Sequence, residues 1–199
     1  MNAVLYIHGK GGSASEAEHY KDLFPGQDVI GLDYKTFTPW ETGKEILDAV
    51  KEYGVSTLIA NSIGAYFSMC AGIDGIIKKA YFISPIVDME KLICGMMKAA
   101  GVTEEELKEK SVIRTPFGED ISWKYLCYVR EHPVKWNAPT DILYGGLDNL
   151  TSHETVTAFA KEHGAALAVM ENGEHWFHTA EQMDFLDAWI QNGTHFNFS

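Results

Sequence analysis

The chain has 199 residues, 46% of them apolar, and a formal net charge of −12 at pH 7. That length suits one domain with a sizeable core. The charge argues against nucleic acid, which needs clustered Lys and Arg, and against an anionic membrane surface. The surplus of Asp and Glu reads as general solubility. No apolar run is long enough to span a bilayer. Cys70, Cys94 and Cys127 are odd in number and lack paired spacing, so they read as reduced thiols in a cytoplasmic protein. No C-x-x-C or His/Cys cluster points to structural zinc.

In chain order, Met1–His8 lacks the basic and apolar regions of a signal peptide and reads as a first strand, Ala3–Ile7. Val29–Leu32, Thr57–Ala60, Ala80–Ile83, Ile142–Tyr144 and Ala166–Met170 follow as further strands. Their apolar character is nearly continuous, as expected of strands buried on both faces. Helical segments lie between them. Ser15 with Glu18, Thr38 with Glu41, Thr151 with Glu154 and Thr179 with Gln182 fit capping boxes, and Pro39 suits a first helical position. Gly54, Gly164 and Gly193 stand where those helices would stop. Strict alternation predicts a parallel sheet with helices on both faces.

One stretch breaks the alternation. From Asp88 to about Trp136 no strand is legible, and Met89, Leu92, Ile93, Met96, Met97 and Ala100 recur at helical spacing. Thr103 with Glu106 makes another capping box, and Ile121, Tyr125, Leu126 and Val129 form a further stripe. Two or three helices are expected here, residues 88–136, as extra core packing or as a lid. The lid is favoured, because ligands of open parallel sheets bind beyond the strand C-termini.

The segment Ala60-Asn61-Ser62-Ile63-Gly64 joins an apolar strand to a helix. It resembles the G-x-S-x-G nucleophile elbow of α/β-hydrolases, with Ala60 in place of the first glycine. The alternative is a plain Ser helix cap. In an elbow, small residues leave room for a strained backbone that lifts the hydroxyl to the positive end of the helix.

The first strand runs into His8-Gly9-Lys10-Gly11-Gly12-Ser13. This resembles the oxyanion loop of the same family, and the backbone N–H groups of Lys10 and Ile63 are the expected donors. The spacing is not that of a phosphate-binding P-loop. His8 is expected to fix the loop by hydrogen bonding.

Two further turns follow strands. Tyr144-Gly-Gly-Leu-Asp148 offers a carboxylate, and Gly173-Glu-His175-Trp-Phe-His178 offers two imidazoles. The order Ser62, Asp148, His175 is that of the α/β-hydrolases. His175 is preferred to His178, which adjoins the Thr179 cap, and Asp148 to Asp88. Asp33 reads as a loop brace, Glu171 and Glu174 as solvated, and His153 as a helix residue without function.

Together the four motifs resemble compact α/β-hydrolases with a helical insertion after the fourth strand, similar to small esterases and the serine-aminopeptidase-like branch. The resemblance implies a six-stranded sheet in order 2-1-3-4-5-6 within a single domain, 1–199, carrying a cap, 88–136. It also implies a Ser62–His175–Asp148 triad that needs no metal or organic cofactor. The expected partner is a small, partly apolar substrate, with Trp123, Tyr125 and Tyr128 of the Met-rich insertion as an adaptable wall. Ester hydrolysis through an acyl-serine is the leading activity. Acyl transfer, thioester, peptide or C–C cleavage would use the same residues, and a non-catalytic binding protein would retain the fold.

Overall fold

The computed structural model describes residues 3–192 of the chain. The described residues divide into two compact units, 3–87 with 135–192, and 88–134. The larger unit is built on β1 (Ala3–Ile7), β2 (Val29–Leu32), β3 (Val55–Asn61), β4 (Lys79–Ile83), β7 (Thr140–Gly145) and β8 (Ala166–Met170). All are parallel, in the order β2-β1-β3-β4-β7-β8. The expected order is therefore the observed one, because the two strands between β4 and β7, β5 (Val112–Arg114) and β6 (Asp120–Ser122), belong to the smaller unit.

Every residue of β1 and β7 is buried, which explains their unbroken apolar runs. Successive residues face opposite sides of the sheet. Val4, Tyr6, Ile59, Ile83 and Leu143 join a core with Ala17 and Tyr20 of a 3₁₀ segment (Ala14–Leu23) and with Leu186, Trp189 and Ile190 of α7 (Ala180–Asn192). Helices α1 (Pro39–Tyr53) and α2 (Ile63–Cys70) pack together, with Ile46 and Phe67 fully buried. α6 (His153–His163) packs on β7 and β8. Each large aliphatic or aromatic side chain so buried contributes roughly 1.5–3 kcal/mol.

Helix ends are set by backbone conformation more than by residue spacing. Gly54 and Gly164 close α1 and α6 at φ 62° and 64°, as expected. Gly193 lies outside the described residues. Thr38 is the N-cap of α1, ahead of Pro39, but its hydroxyl donates to the Glu41 carboxylate at 2.6 Å instead of accepting a helix N–H, so the expected box does not form. Two expected caps shift by one or two residues. The segment after β1 is 3₁₀ and starts at Ser13, which is extended at φ −152° and donates its N–H to Glu16 Oε1 at 3.1 Å, so Ser15 with Glu18 is not the box. α6 is capped by Ser152, whose hydroxyl accepts from Thr155 N–H at 3.3 Å. Thr151 is held in the preceding loop instead.

The smaller unit contains α3 (Met89–Ala100), α4 (Glu104–Lys110) and α5 (Trp123–Glu131). Arg130 of α5 bonds Glu90 of α3 at 2.6 Å and Glu104 of α4 at 2.6 and 2.8 Å. It also contains the antiparallel hairpin of β5 with β6, which the sequence does not reveal. Three-residue strands are too short for a period-2 signal; the clue was the turn Thr115–Gly118, where Gly118 has φ 90°. Among the described residues, no helix is long and apolar enough to cross a membrane. Cys70, Cys94 and Cys127 are free thiols.

Candidate active site

Ser62 is the single residue between β3 and α2, at φ 53° and ψ −120°. A side chain in such a conformation costs about 1–3 kcal/mol and persists only when its surroundings enforce it. Here Ser62 N–H donates to the Ile83 carbonyl at 2.9 Å, and the Ser62 carbonyl accepts from Ile86 N–H at 3.1 Å. The bend also needs close chain approach. A Cβ on Gly64 would lie 2.6 Å from the His8 carbonyl oxygen and 2.7 Å from that of Ile7, so no other residue fits there. Ala60, where the resemblance expects glycine, is fully buried in β3.

Ser62 Oγ lies 2.8 Å from His175 Nε2, and His175 Nδ1 lies 2.7 Å from Asp148 Oδ2. The Asp148 side chain is fully buried and that of His175 is 17% exposed. Asp148 Oδ1 accepts from the N–H groups of Leu150 at 2.8 Å and Thr151 at 3.0 Å. Both oxygens are therefore used, and the carboxylate cannot rotate without losing bonds. A carboxylate at Nδ1 selects the Nδ1–H tautomer and leaves Nε2 bare to accept the Ser62 proton. Beneath the loop, Tyr144 donates its hydroxyl to the Thr151 carbonyl at 2.8 Å. Burial, and then the charge of Asp148, push that hydroxyl's pKa up and keep it a donor.

The loops carrying Asp148 and His175 are joined through their main chains. Gly146 N–H donates to the Met170 carbonyl at 2.8 Å, and Gly173 N–H donates to the same oxygen at 2.9 Å. A Cβ on Gly145 would lie 2.4 Å from the Glu174 carbonyl oxygen, so this approach also requires glycine.

The loop after β1 reaches the same edge of the sheet. Gly9 packs so closely that a Cβ there would lie 3.1 Å from Ser62 Cβ. His8 is buried, and its Nδ1–H donates to the Gly9 carbonyl at 2.7 Å. Tyr34 stacks on the His8 ring, centroids 4.2 Å apart, and donates its hydroxyl to the His8 carbonyl at 2.8 Å. Lys10 follows in the cleft wall, and Ile63 opens α2.

The competing residues have other occupations. His178 Nδ1–H donates to the Trp176 carbonyl at 2.8 Å, and the His178 ring stacks on Trp176. Its neighbour Thr179 accepts from Gln182 N–H at 3.2 Å, as the capping reading expects. Asp88 caps α3, accepting from Lys91 N–H at 2.8 Å. Asp33 braces the loop after β1 by accepting from Ala14 N–H at 2.7 Å. His153 begins α6, and Glu171 and Glu174 are exposed.

A cleft of about 350 Å³ exposes Ser62 and His175 and is walled by Lys10, Glu16, Asn61 and Trp176 among others. Glu16 and Trp176 were not anticipated as part of the site. Glu16 was not singled out in the sequence; it lies in the 3₁₀ segment after β1, where its Oε1 accepts from Ser13 N–H. Trp176 is 66% exposed beside the cleft. Among the described residues no group of three His, Cys, Asp or Glu is placed to hold a metal ion.

No family model and no curated protein matches the chain. Solved structures do. Est1E of Butyrivibrio proteoclasticus superimposes with a TM-score of 0.73 at 18% identity, over 96% of this chain and 85% of that one. Mouse alpha/beta hydrolase domain-containing protein 10 matches with a TM-score of 0.71 at 14% identity, over 96% and 88%. The chain has the α/β-hydrolase fold. A third α/β-hydrolase-fold neighbour, a proline iminopeptidase-related protein of Thermus thermophilus, matches at 0.61 and 19% identity over 96% and 88%. Within this fold Ser62, Asp148 and His175 stand on turns after β3, β7 and β8.

Proposed function

We propose that the protein is a serine hydrolase that cleaves small esters through an acyl-enzyme intermediate. The observation that carries this reading is the hydrogen-bonded chain Ser62–His175–Asp148, with links of 2.8 and 2.7 Å. Ser62 Oγ attacks the ester carbonyl carbon while His175 Nε2 takes its proton. The carbonyl electrons move onto oxygen, which the N–H groups of Lys10 and Ile63 receive. Collapse of the tetrahedral adduct breaks the bond to the alcohol, which leaves with the proton from His175. Water, deprotonated by His175, then attacks the acyl-serine, and a second collapse returns the proton to Ser62 and frees the acid. Asp148 holds the imidazole tautomer and balances its charge. Each oxyanion donor is worth about a hundredfold or more in rate.

The strained backbone of Ser62 also supports the reading, since such strain is retained where function requires it. Exposed Trp176 and Leu150 beside the cleft favour a partly apolar substrate. A cytoplasmic location, with its free thiols, belongs to the same proposal. The test is labelling by a fluorophosphonate probe together with hydrolysis of 4-nitrophenyl acetate and butyrate. The native protein should show both, and Ser62→Ala neither. Undiminished labelling of Ser62→Ala, or stable ligand binding with no turnover of any ester or thioester by the native protein, would overturn it.

A further inference from the structure

Beside the Ser62 cleft lies a second cavity of about 170 Å³. The two share Glu16, Asn61 and Trp176 as walls, so the smaller one adjoins the cleft one residue away from Ser62. Most of its remaining lining is apolar, with the rings of Tyr6, Tyr20 and Phe177 and the side chains of Met183 and Leu186. Tyr6 and Tyr20 stack with centroids 5.1 Å apart. An apolar cavity of about 150 Å³ holds a benzene ring. This one therefore matches a single six-membered ring bearing a small substituent.

Its polar groups are specific. Glu16 Oε1 accepts from Ser13 N–H at 3.1 Å, and Oε2 accepts from the Tyr6 hydroxyl. Burial raises the pKa of that hydroxyl and keeps it a donor. A carboxylate has about four acceptor sites, so these bonds orient Glu16 and leave capacity for a ligand. No Lys or Arg lines the cavity, and His19, which does, is engaged with Asp187 at 2.6 Å. The hollow is open on one side, with Glu16 and Trp176 partly in solvent, so an anionic group entering here would be disfavoured by the like charge of Glu16, with no cation lining the hollow to offset it.

We propose that this cavity receives one arm of the substrate, a compact neutral ring bearing a hydroxyl, and that Glu16 determines specificity by accepting from that hydroxyl and rejecting carboxylates. The inference rests on Ser62 being the nucleophile. Two ester series test it: 4-nitrophenyl esters whose acyl arm ends in phenyl, hydroxyphenyl or carboxyphenyl, and acetates of the matching benzyl alcohols. In the series whose arm enters the cavity, kcat/KM should favour hydroxyphenyl over carboxyphenyl at least a hundredfold. Glu16→Gln should reduce that ratio tenfold or more, whatever happens to the absolute rates. Met183→Trp, which fills the cavity, should lower the ratio of ring-bearing to methyl substrates tenfold or more. Flat ratios in both series, or ratios unmoved by both substitutions, would overturn the subsite. Fluorophosphonate labelling at Ser62, read by intact mass, separates the two failures. Labelling with flat selectivity removes only the subsite, whereas absent labelling removes the nucleophile assignment and the subsite with it.

Discussion

Leu147 donates its backbone N–H to the Gly173 carbonyl at 2.8 Å, one residue before Asp148 and two before His175. The distance between the carboxylate and the imidazole is thus set by main-chain contact between two loops rather than by the reach of two side chains.

Gly145→Ala should therefore disturb both stability and turnover. The added methyl would lie 2.4 Å from the Glu174 carbonyl oxygen, and backbone cannot step aside as a flexible side chain can. Overpacking of this kind costs about 1–3 kcal/mol. A melting temperature lowered by roughly 2–12 °C is expected, from about 2–4 °C per kcal/mol at this chain length. Calorimetry with steady-state kinetics checks it, and an unchanged Tm and kcat would show that the loops have more slack than the contact implies.

Asp148→Asn should retain the fold, because an amide oxygen can still accept from Leu150 and Thr151 N–H. It should lower kcat for 4-nitrophenyl acetate by about 10³–10⁴-fold, since the amide no longer selects the Nδ1–H tautomer or balances the imidazolium charge. A loss below tenfold would remove Asp148 from the role.

Ser62→Gly should be inactive and more stable than the native protein. Glycine adopts φ 53° without the penalty a Cβ carries there. Relief of about 1–3 kcal/mol corresponds to a Tm rise of roughly 2–12 °C. Ser62→Ala, which keeps the Cβ, should not share the rise. Equal melting temperatures for the two variants would refute the account of the strained elbow.

Tyr34→Phe removes the hydroxyl that holds the His8 carbonyl and leaves the ring stack in place. One such hydrogen bond is worth about 0.5–1.5 kcal/mol. A loosened loop after β1 should reduce kcat roughly twofold to tenfold with KM little changed. A change confined to KM would argue that Tyr34 acts on substrate binding instead.

Burial pushes the Cys70 thiol from its usual 9.0 up to about 11. At pH 8 almost all of it is protonated and unreactive, because the thiolate is the nucleophile. Alkylation of Cys70 by iodoacetamide, followed by peptide mass mapping, should rise about tenfold per pH unit from 8 to 10. The raised value also means that Cys70 favours the folded state fully below pH 9 and loses that contribution as pH climbs through 11. Rapid alkylation at pH 7 would contradict this environment.

Much of the sheet was legible because burial on both faces leaves an unmistakable trace. β1, β2 and β8 begin and end where their apolar runs do, while β3, β4 and β7 extend one to two residues further at one or both ends, into polar positions such as Asn61 and Thr140. Ser62, Asp148 and His175 could be singled out because each follows a strand, and parallel strands deliver their C-terminal turns to one edge. What escaped had a weak local signature or none. β5 and β6 are too short to show a period. Ser13 displaced Ser15, and Ser152 displaced Thr151, because the cap is the extended residue just before the first helical turn, which residue spacing alone does not fix. Glu16 reaches the cleft only through the path of the 3₁₀ segment after β1.

The seams at Gly64 and Gly145 have an implication for how this protein tolerates change. Contacts made by amides and carbonyls are chemically the same whatever side chains they carry, so the spacing of Ser62, His175 and Asp148 is largely indifferent to the identity of surrounding residues other than the two glycines. Side chains away from the two glycines can therefore change while the turns that carry Ser62, Asp148 and His175 keep their dimensions.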